Sequence, residues 1–197
     1  MNRVFIVLFS LIVFALAAFA QGEGKTPEDM QKMMAEWQKW STPGPEHQLL
    51  GKMVGEWTCT GKSWMGPDQP PMEGTPGTAK SEFVFGGRFL KSDYSGDIMG
   101  MPFQGVGYLG YDNFRQQYWM TWFDNMTTAL FTAYGAASAD GTELTLMGKS
   151  DDPMTGEKDK DTKYYYKFVD ENTMIFEVWD MTQGKTYKGM EMTYTKK

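Results

Sequence analysis

Residues 51–64 read GKMVGEWTCTGKSW, and the change of pattern inside this stretch decides the fold. From Glu56 onward Trp57, Cys59, Gly61 and Ser63 fall on one face, and Glu56, Thr58, Thr60 and Lys62 on the other. Alternation with a period of two and one polar face predicts a half-buried strand. Upstream the period is helical. Thr26-Pro27-Glu28-Asp29 supplies an N-cap, a proline at the first helical position and acids in the first turn. Met30, Met33, Met34 and Trp37 then recur at helical spacing, with Glu28, Lys32, Glu36 and Lys39 on the other side. The run STPGP (41–45) ends this helix, and a second short helix over 45–53 leads into the strand.

Downstream, turn signals recur at Gly86-Gly87, Gly100-Met101-Pro102, Asp112-Asn113, Asn125, Asp140-Gly141, Asp152-Pro153, Glu171-Asn172 and Gln183-Gly184. Their spacing leaves room for a strand and a tight turn but none for crossover helices, so the sheet is expected to be antiparallel. About ten strands result, over 55–64, 77–85, 88–97, 102–111, 116–124, 127–137, 142–150, 159–169, 173–181 and 185–195. A meander of that length avoids two exposed edges by closing on itself, which predicts an all-β, closed antiparallel barrel behind an N-terminal helical segment. Parity assigns the interior. Leu90 and Tyr94 oppose Lys91 and Asp93; Leu144 and Leu146 oppose Glu143 and Thr145; Tyr164, Tyr166 and Phe168 oppose Lys163 and Lys167; Met174, Phe176 and Val178 leave Glu177 outside. The strands over 103–111, 116–124 and 127–137 are apolar on both faces, so one outer wall is expected to be covered by the N-terminal helix or by a second subunit of a homo-oligomer.

Ahead of the fold, Arg3 precedes an apolar run from Val4 to Phe19, and Ala18-Phe19-Ala20 has the small-x-small pattern of a signal-peptidase site. The run is shorter than the roughly 20 residues that span a bilayer. A removed signal over 1–20, a periplasmic or secreted mature chain starting near Gln21, and no stable membrane anchor are expected. The helical segment then covers 21–54 and the barrel 55–197. The formal charge of -6 becomes more negative by one when Arg3 is removed, which disfavours nucleic acid as a partner. With one cysteine, Cys59, no intramolecular disulfide can form, and Cys59 on the Trp57 face is expected to be core filler.

Several stretches are familiar in combination: GPEH (44–47), MVGEW (53–57), GGRFL (86–90), MGMPFQG (99–105), GYDN (110–113), TWFDNM (121–126), DDPMTG (151–156) and EMTYTKK (191–197). Together they resemble a bacterial family, domain of unknown function fifteen seventy-nine, and the Gly55-Glu56-Trp57 triplet resembles the G-x-W that opens lipocalin-like barrels. The resemblance implies a lipocalin-like barrel, often exported, and supplies no reaction and no catalytic residue. Nitrobindin-like barrels are also similar and hold haem through a histidine on a late strand. This chain has no histidine after His47.

No catalytic constellation stands out, and no cofactor or metal is expected. His47 lacks the partners that a zinc site or a nucleophilic triad requires, and a helix-surface or loop-packing role is expected for it. Met99-x-Met101 and Met190-x-Met192 each place two soft thioethers on one strand face, but methionine is ordinarily pliable core filler. Asp151, Asp152 and Glu157 cluster around a Pro-Gly turn without the alternating ligands of an EF-hand, so a structural turn is expected. The barrel interior remains as the place for function: a pocket for a small, partly apolar or acidic ligand. Parity places Arg88, Tyr94, Trp122 and Asp124 on its wall as ligand-binding residues, with Arg88 near the mouth holding an anionic end and Asp124 a candidate partner for it. Two alternatives stand beside this: a small-molecule isomerase or hydrolase with Asp124 as general base, and a filled barrel acting as a structural or interaction module.

Overall fold

A computed structural model describes residues 26–182 and 186–197. The expected signal segment, its cleavage point near Gln21 and the Gln183-Gly184 turn lie outside the described residues. The chain divides into two compact units, one ending at Thr42 and the other running from Pro43 to Lys197.

In the first unit, helix α1 spans Pro27–Ser41. Thr26 caps it: the Thr26 hydroxyl accepts from the Asp29 N–H at 3.2 Å, and the Asp29 carboxylate accepts from the Thr26 N–H at 2.9 Å. None of its residues is buried.

The second unit opens with α2 (Pro45–Leu50) and a 3-10 turn (Gly51–Met53). The strands follow as β1 (Gly55–Ser63), β2 (Met72–Glu73), β3 (Gly77–Val84), β4 (Phe89–Ile98), β5 (Met101–Asp112), β6 (Gln117–Asp124), β7 (Phe131–Ala137), β8 (Glu143–Asp152), β9 (Glu157–Asp170), β10 (Thr173–Asp180) and β11 (Tyr187–Lys196). Each long strand pairs antiparallel with the next, and β11 pairs with β1 from Trp57↔Lys196 to Ser63↔Met190, closing a ten-stranded barrel. The two-residue β2 clips onto the end of β1 at Lys62↔Glu73 and was not expected, because a pair of residues inside a Gly/Pro-rich loop carries no periodicity. Strand β7 begins at Phe131 rather than at 127. The Asp124 carboxylate accepts from the Met126 and Thr127 N–H groups and holds these residues in a turn after β6.

The core occupies one half of the barrel. Leu50, Leu90, Leu144 and Leu146 are fully buried there with Met53, Leu109, Met120, Ala133, Tyr166, Phe168 and Met174. The α2 segment closes this end. The Trp57 indole donates to the Met53 carbonyl at 2.9 Å, the Tyr118 hydroxyl donates to Glu46 O at 3.0 Å, and Lys52 Nζ reaches Gly141 O in the β7–β8 turn at 2.7 Å. Trp57 is 1 % exposed and packs edge-on against Tyr194. Cys59 beside it is equally buried, and burial pushes its thiol up to about 12. Among the described residues no helix is long and apolar enough to cross a membrane.

Candidate functional site

The opposite end of the barrel carries the β4–β5 turn, the 125–130 loop and the β8–β9 turn, and there the lumen wall loosens. Strand register puts Tyr94, Gly105 and Asp124 at one level of the inner face. Trp122 lies next to them opposite Gly107. Across the lumen, Phe176, Val178, Met190 and Met192 face inward on β10 and β11. Unlike the sealed floor, all of these inward side chains are half-buried, and so is Tyr194 below them. The lumen is therefore less tightly filled at this end than at the floor.

The wall of this space is aromatic on one side and polar on the other. Tyr94 and Phe103 lie 5.7 Å apart between centroids, and Phe103 and Trp122 are 6.4 Å apart with planes 25° apart. The Trp122 indole N–H donates to Asp124 Oδ2 at 2.9 Å. Facing them, the Ser150 and Thr162 hydroxyls are 2.7 Å apart, and Lys160 Nζ contacts Asp180 at 2.7 Å and Asp152 at 3.5 Å. The Asp180 bond raises the Lys160 ammonium above its ordinary range. Burial alone would raise the Asp180 carboxyl, but the hydrogen bond from Lys160 and the neighbouring Thr182 outweigh it and hold it below the usual carboxylate range.

Of the four residues assigned to the wall from sequence, Tyr94, Trp122 and Asp124 come together at the open end. Arg88 does not join them. It lies in the β3–β4 turn at the closed end, one residue before Phe89, which pairs with Gly110, whereas Asp124 pairs with Gly105 farther along the same strand. Its guanidinium donates to the Phe85 carbonyl at 3.0 Å, so the expected Arg88–Asp124 pair does not form. Alternation carries no information on the level along the barrel axis, nor on where the turn before β4 begins, so it does not separate the two. Asp124 spends both oxygens on the Trp122 indole and on two backbone amides, which positions the loop and the indole.

Lys160 and Asp180 were missed. Extending inward parity from Tyr164 and Thr162 to Lys160, and from Val178 to Asp180, would have found both. Of the two roles expected for His47, packing holds and surface exposure does not: it is 6 % exposed, its Nδ1 accepts from the Gly44 N–H at 3.0 Å, and its ring meets Tyr111 edge-on. The DDPMTG run is a turn in which Asp152 Oδ1 accepts from the Met154 and Thr155 N–H groups. An open groove of about 650 Å³ also runs past Glu56, Lys80, Asp93, Gln104 and Phe123 and reaches Tyr94, Gly105 and Asp124.

A closed antiparallel barrel of ten strands, more tightly filled at one end than at the other, is a lipocalin-like fold. The chain belongs to the family described as protein of unknown function (DUF1579), whose model matches residues 42–196. No curated protein sequence matches it. Among solved structures it is similar to Rv2717c from M. tuberculosis, with a TM-score of 0.56 and 17 % identity over 79 % of this chain and 99 % of that one. It is also similar to the S-type phycobiliprotein lyase CPES from Guillardia theta, with a TM-score of 0.54 and 10 % identity over 77 % of this chain and 92 % of that one. Identities this low bear on the fold alone.

Proposed function

We propose that this protein is an exported binding barrel that takes up one small, largely apolar molecule through its open end. The contrast within the lumen carries the reading. Leu50, Leu90, Leu144 and Leu146 form a floor with no exposed surface, while the inward residues of β10 and β11 and the rings at the mouth keep contact with solvent. Ligand pockets have this character, apolar walls with a few placed polar groups. Ser150, Thr162, Asp124 and the Lys160–Asp180 pair supply the polar groups here. Arg88 at the sealed end withdraws the cation on which an acidic ligand would have depended.

The neutral dye N-phenylnaphthylamine, which brightens in apolar surroundings, tests this reading. One saturable site per barrel is expected, and Val178→Trp, which fills the upper lumen, is expected to abolish it in a protein that melts like the wild type. A dye signal that does not appear, or that survives Val178→Trp unchanged, would overturn the proposal. Export is supported by the Val4–Phe19 run and the Ala18-Phe19-Ala20 pattern. N-terminal sequencing of protein recovered from the periplasm or medium is expected to begin near Gln21, and an intact Met1 end in the cytoplasm would contradict it.

A further inference from the structure

Tyr94 and Trp122 are large side chains on the inner wall of the barrel mouth, where projecting rings would close the entrance. They do not project, because the wall beneath them is glycine. A Cβ on Gly105 would fall 2.1 Å from Cζ2 of Trp122, and one on Gly107 would fall 3.1 Å from its Cε3. Below Tyr94, a Cβ on Gly77 would lie 2.4 Å from the phenol oxygen and one on Gly96 2.9 Å from it. All four glycines share the inner face with the rings they carry. Glycine inside a strand weakens it and commonly marks a close approach from another group. Here the group that approaches is the protein's own aromatic wall.

The Trp122 indole therefore lies over the backbone of Gly105 and Gly107 and the phenol end of Tyr94 over that of Gly77 and Gly96, and both rings are half-buried. The indole is also fixed in its plane, since Asp124 Oδ2 accepts its N–H at 2.9 Å. Phe103 stacks on the indole with the planes 25° apart, and Tyr94 meets Phe103 edge-on at 63°. We infer that Trp122 and Phe103, with Tyr94 edge-on beside them, form a recessed aromatic panel for a planar, conjugated molecule that carries no anionic group. The inference rests on the lumen-binding reading above and narrows the ligand. Flatness follows from the panel: aromatic rings gain from offset or edge-to-face contact beyond the area they bury. A saturated ring system of the same skeleton cannot make that contact. The charge preference follows from what faces the space. Asp124 is part of the panel, and across the lumen, among the described residues, Asp152 and Asp180 outnumber the Lys160 ammonium they already bind. A cleft lined by one sign of charge repels ligands of that sign.

The test is displacement of N-phenylnaphthylamine from the full-length mature protein by four molecules sharing one two-ring skeleton: naphthol, naphthylmethylammonium, decahydronaphthol and naphthoate. Naphthol and the ammonium are expected to displace the dye at concentrations about fivefold or more below those needed with decahydronaphthol, the size of advantage that ring-on-ring contact confers. Naphthoate is expected to be weaker than naphthol, with the gap narrowing as salt is added. Gly105→Ala, which drives the indole off its bed, is expected to erase the preference for naphthol over decahydronaphthol. Should that variant not fold, Trp122→Leu reads the same preference without touching the backbone. Dye that binds but is displaced equally by the flat and the saturated alcohol, or as readily by naphthoate as by naphthol, overturns the inference while leaving the binding lumen intact. A preference that survives Trp122→Leu overturns it as well. Dye that does not bind at all defeats the lumen reading itself.

Discussion

At the scale of single residues, His47 ties stability to pH just below neutrality. Its ring is 6 % exposed, and burial lowers its pKa below the ordinary 6.5, a fall that the nearby Glu46 opposes and Arg88 reinforces. Because the folded value lies below the unfolded one, the unfolded chain takes up more protons between the two values. The stability His47 secures is therefore complete above about 6.5 and lost as pH falls from there through the folded value. Urea midpoints measured on either side of this window are expected to drop toward acid in the wild type and to drop less in His47→Gln. Equal losses in both proteins would show that other groups set the acid limit. A lone histidine has no spacing to reveal it, so the sequence showed its chemistry but not its burial. Arg88 failed for a related reason. It lies in the turn before β4, where alternation assigns no face, and its height along the barrel depends on turn lengths that period-two patterning does not report.

At the scale of elements, what was legible was the face each strand turns inward. Leu90, Tyr94, Leu144, Leu146, Tyr164, Tyr166, Phe168, Met174, Phe176 and Val178 all lie on the side that alternation assigned, because in a sheet the side-chain period is fixed by the backbone. The packing of glycine against its neighbours was not legible, since a missing side chain looks the same at a turn, a bulge or a close contact. Gly135 in β7 shows the difference. A Cβ there would fall 1.9 Å from the Thr145 carbonyl oxygen of β8, a backbone atom that cannot swing away, whereas at Gly61 in β1 the nearest atom would be 3.4 Å off. Gly135→Ala is expected to cost about 1–3 kcal/mol through forced separation of the strands. The same change at Gly61 is expected to move the denaturation midpoint much less, and comparable losses at the two sites would refute the argument.

At the scale of the whole molecule, one row of paired residues runs around the outer wall: Phe89, Gly110, Trp119, Tyr134, Met147, Lys163, Trp179 and Lys188. Its first half is apolar, with Tyr134 51 % and Met147 43 % exposed, and its second half interleaves Trp179 between two lysines, Lys163 lying 4.4 Å from the indole centre. The sequence foresaw an apolar outer wall because β5, β6 and β7 are apolar on both faces. Inside, the binding account requires the upper lumen, and nothing on this outer row, to receive the ligand. The 17 methionines make that distinction measurable. Met190 and Met192 face the upper lumen, Met174 is buried in the floor, and Met147 stands on the outer wall. With carbon-labelled methionine ε-methyl groups assigned by substitution, the decisive measurement is the shift of each methyl signal as N-phenylnaphthylamine is added. The account predicts large ring-current shifts at Met190 and Met192 and none at Met147. Shifts at Met147 with Met190 and Met192 unmoved would contradict it.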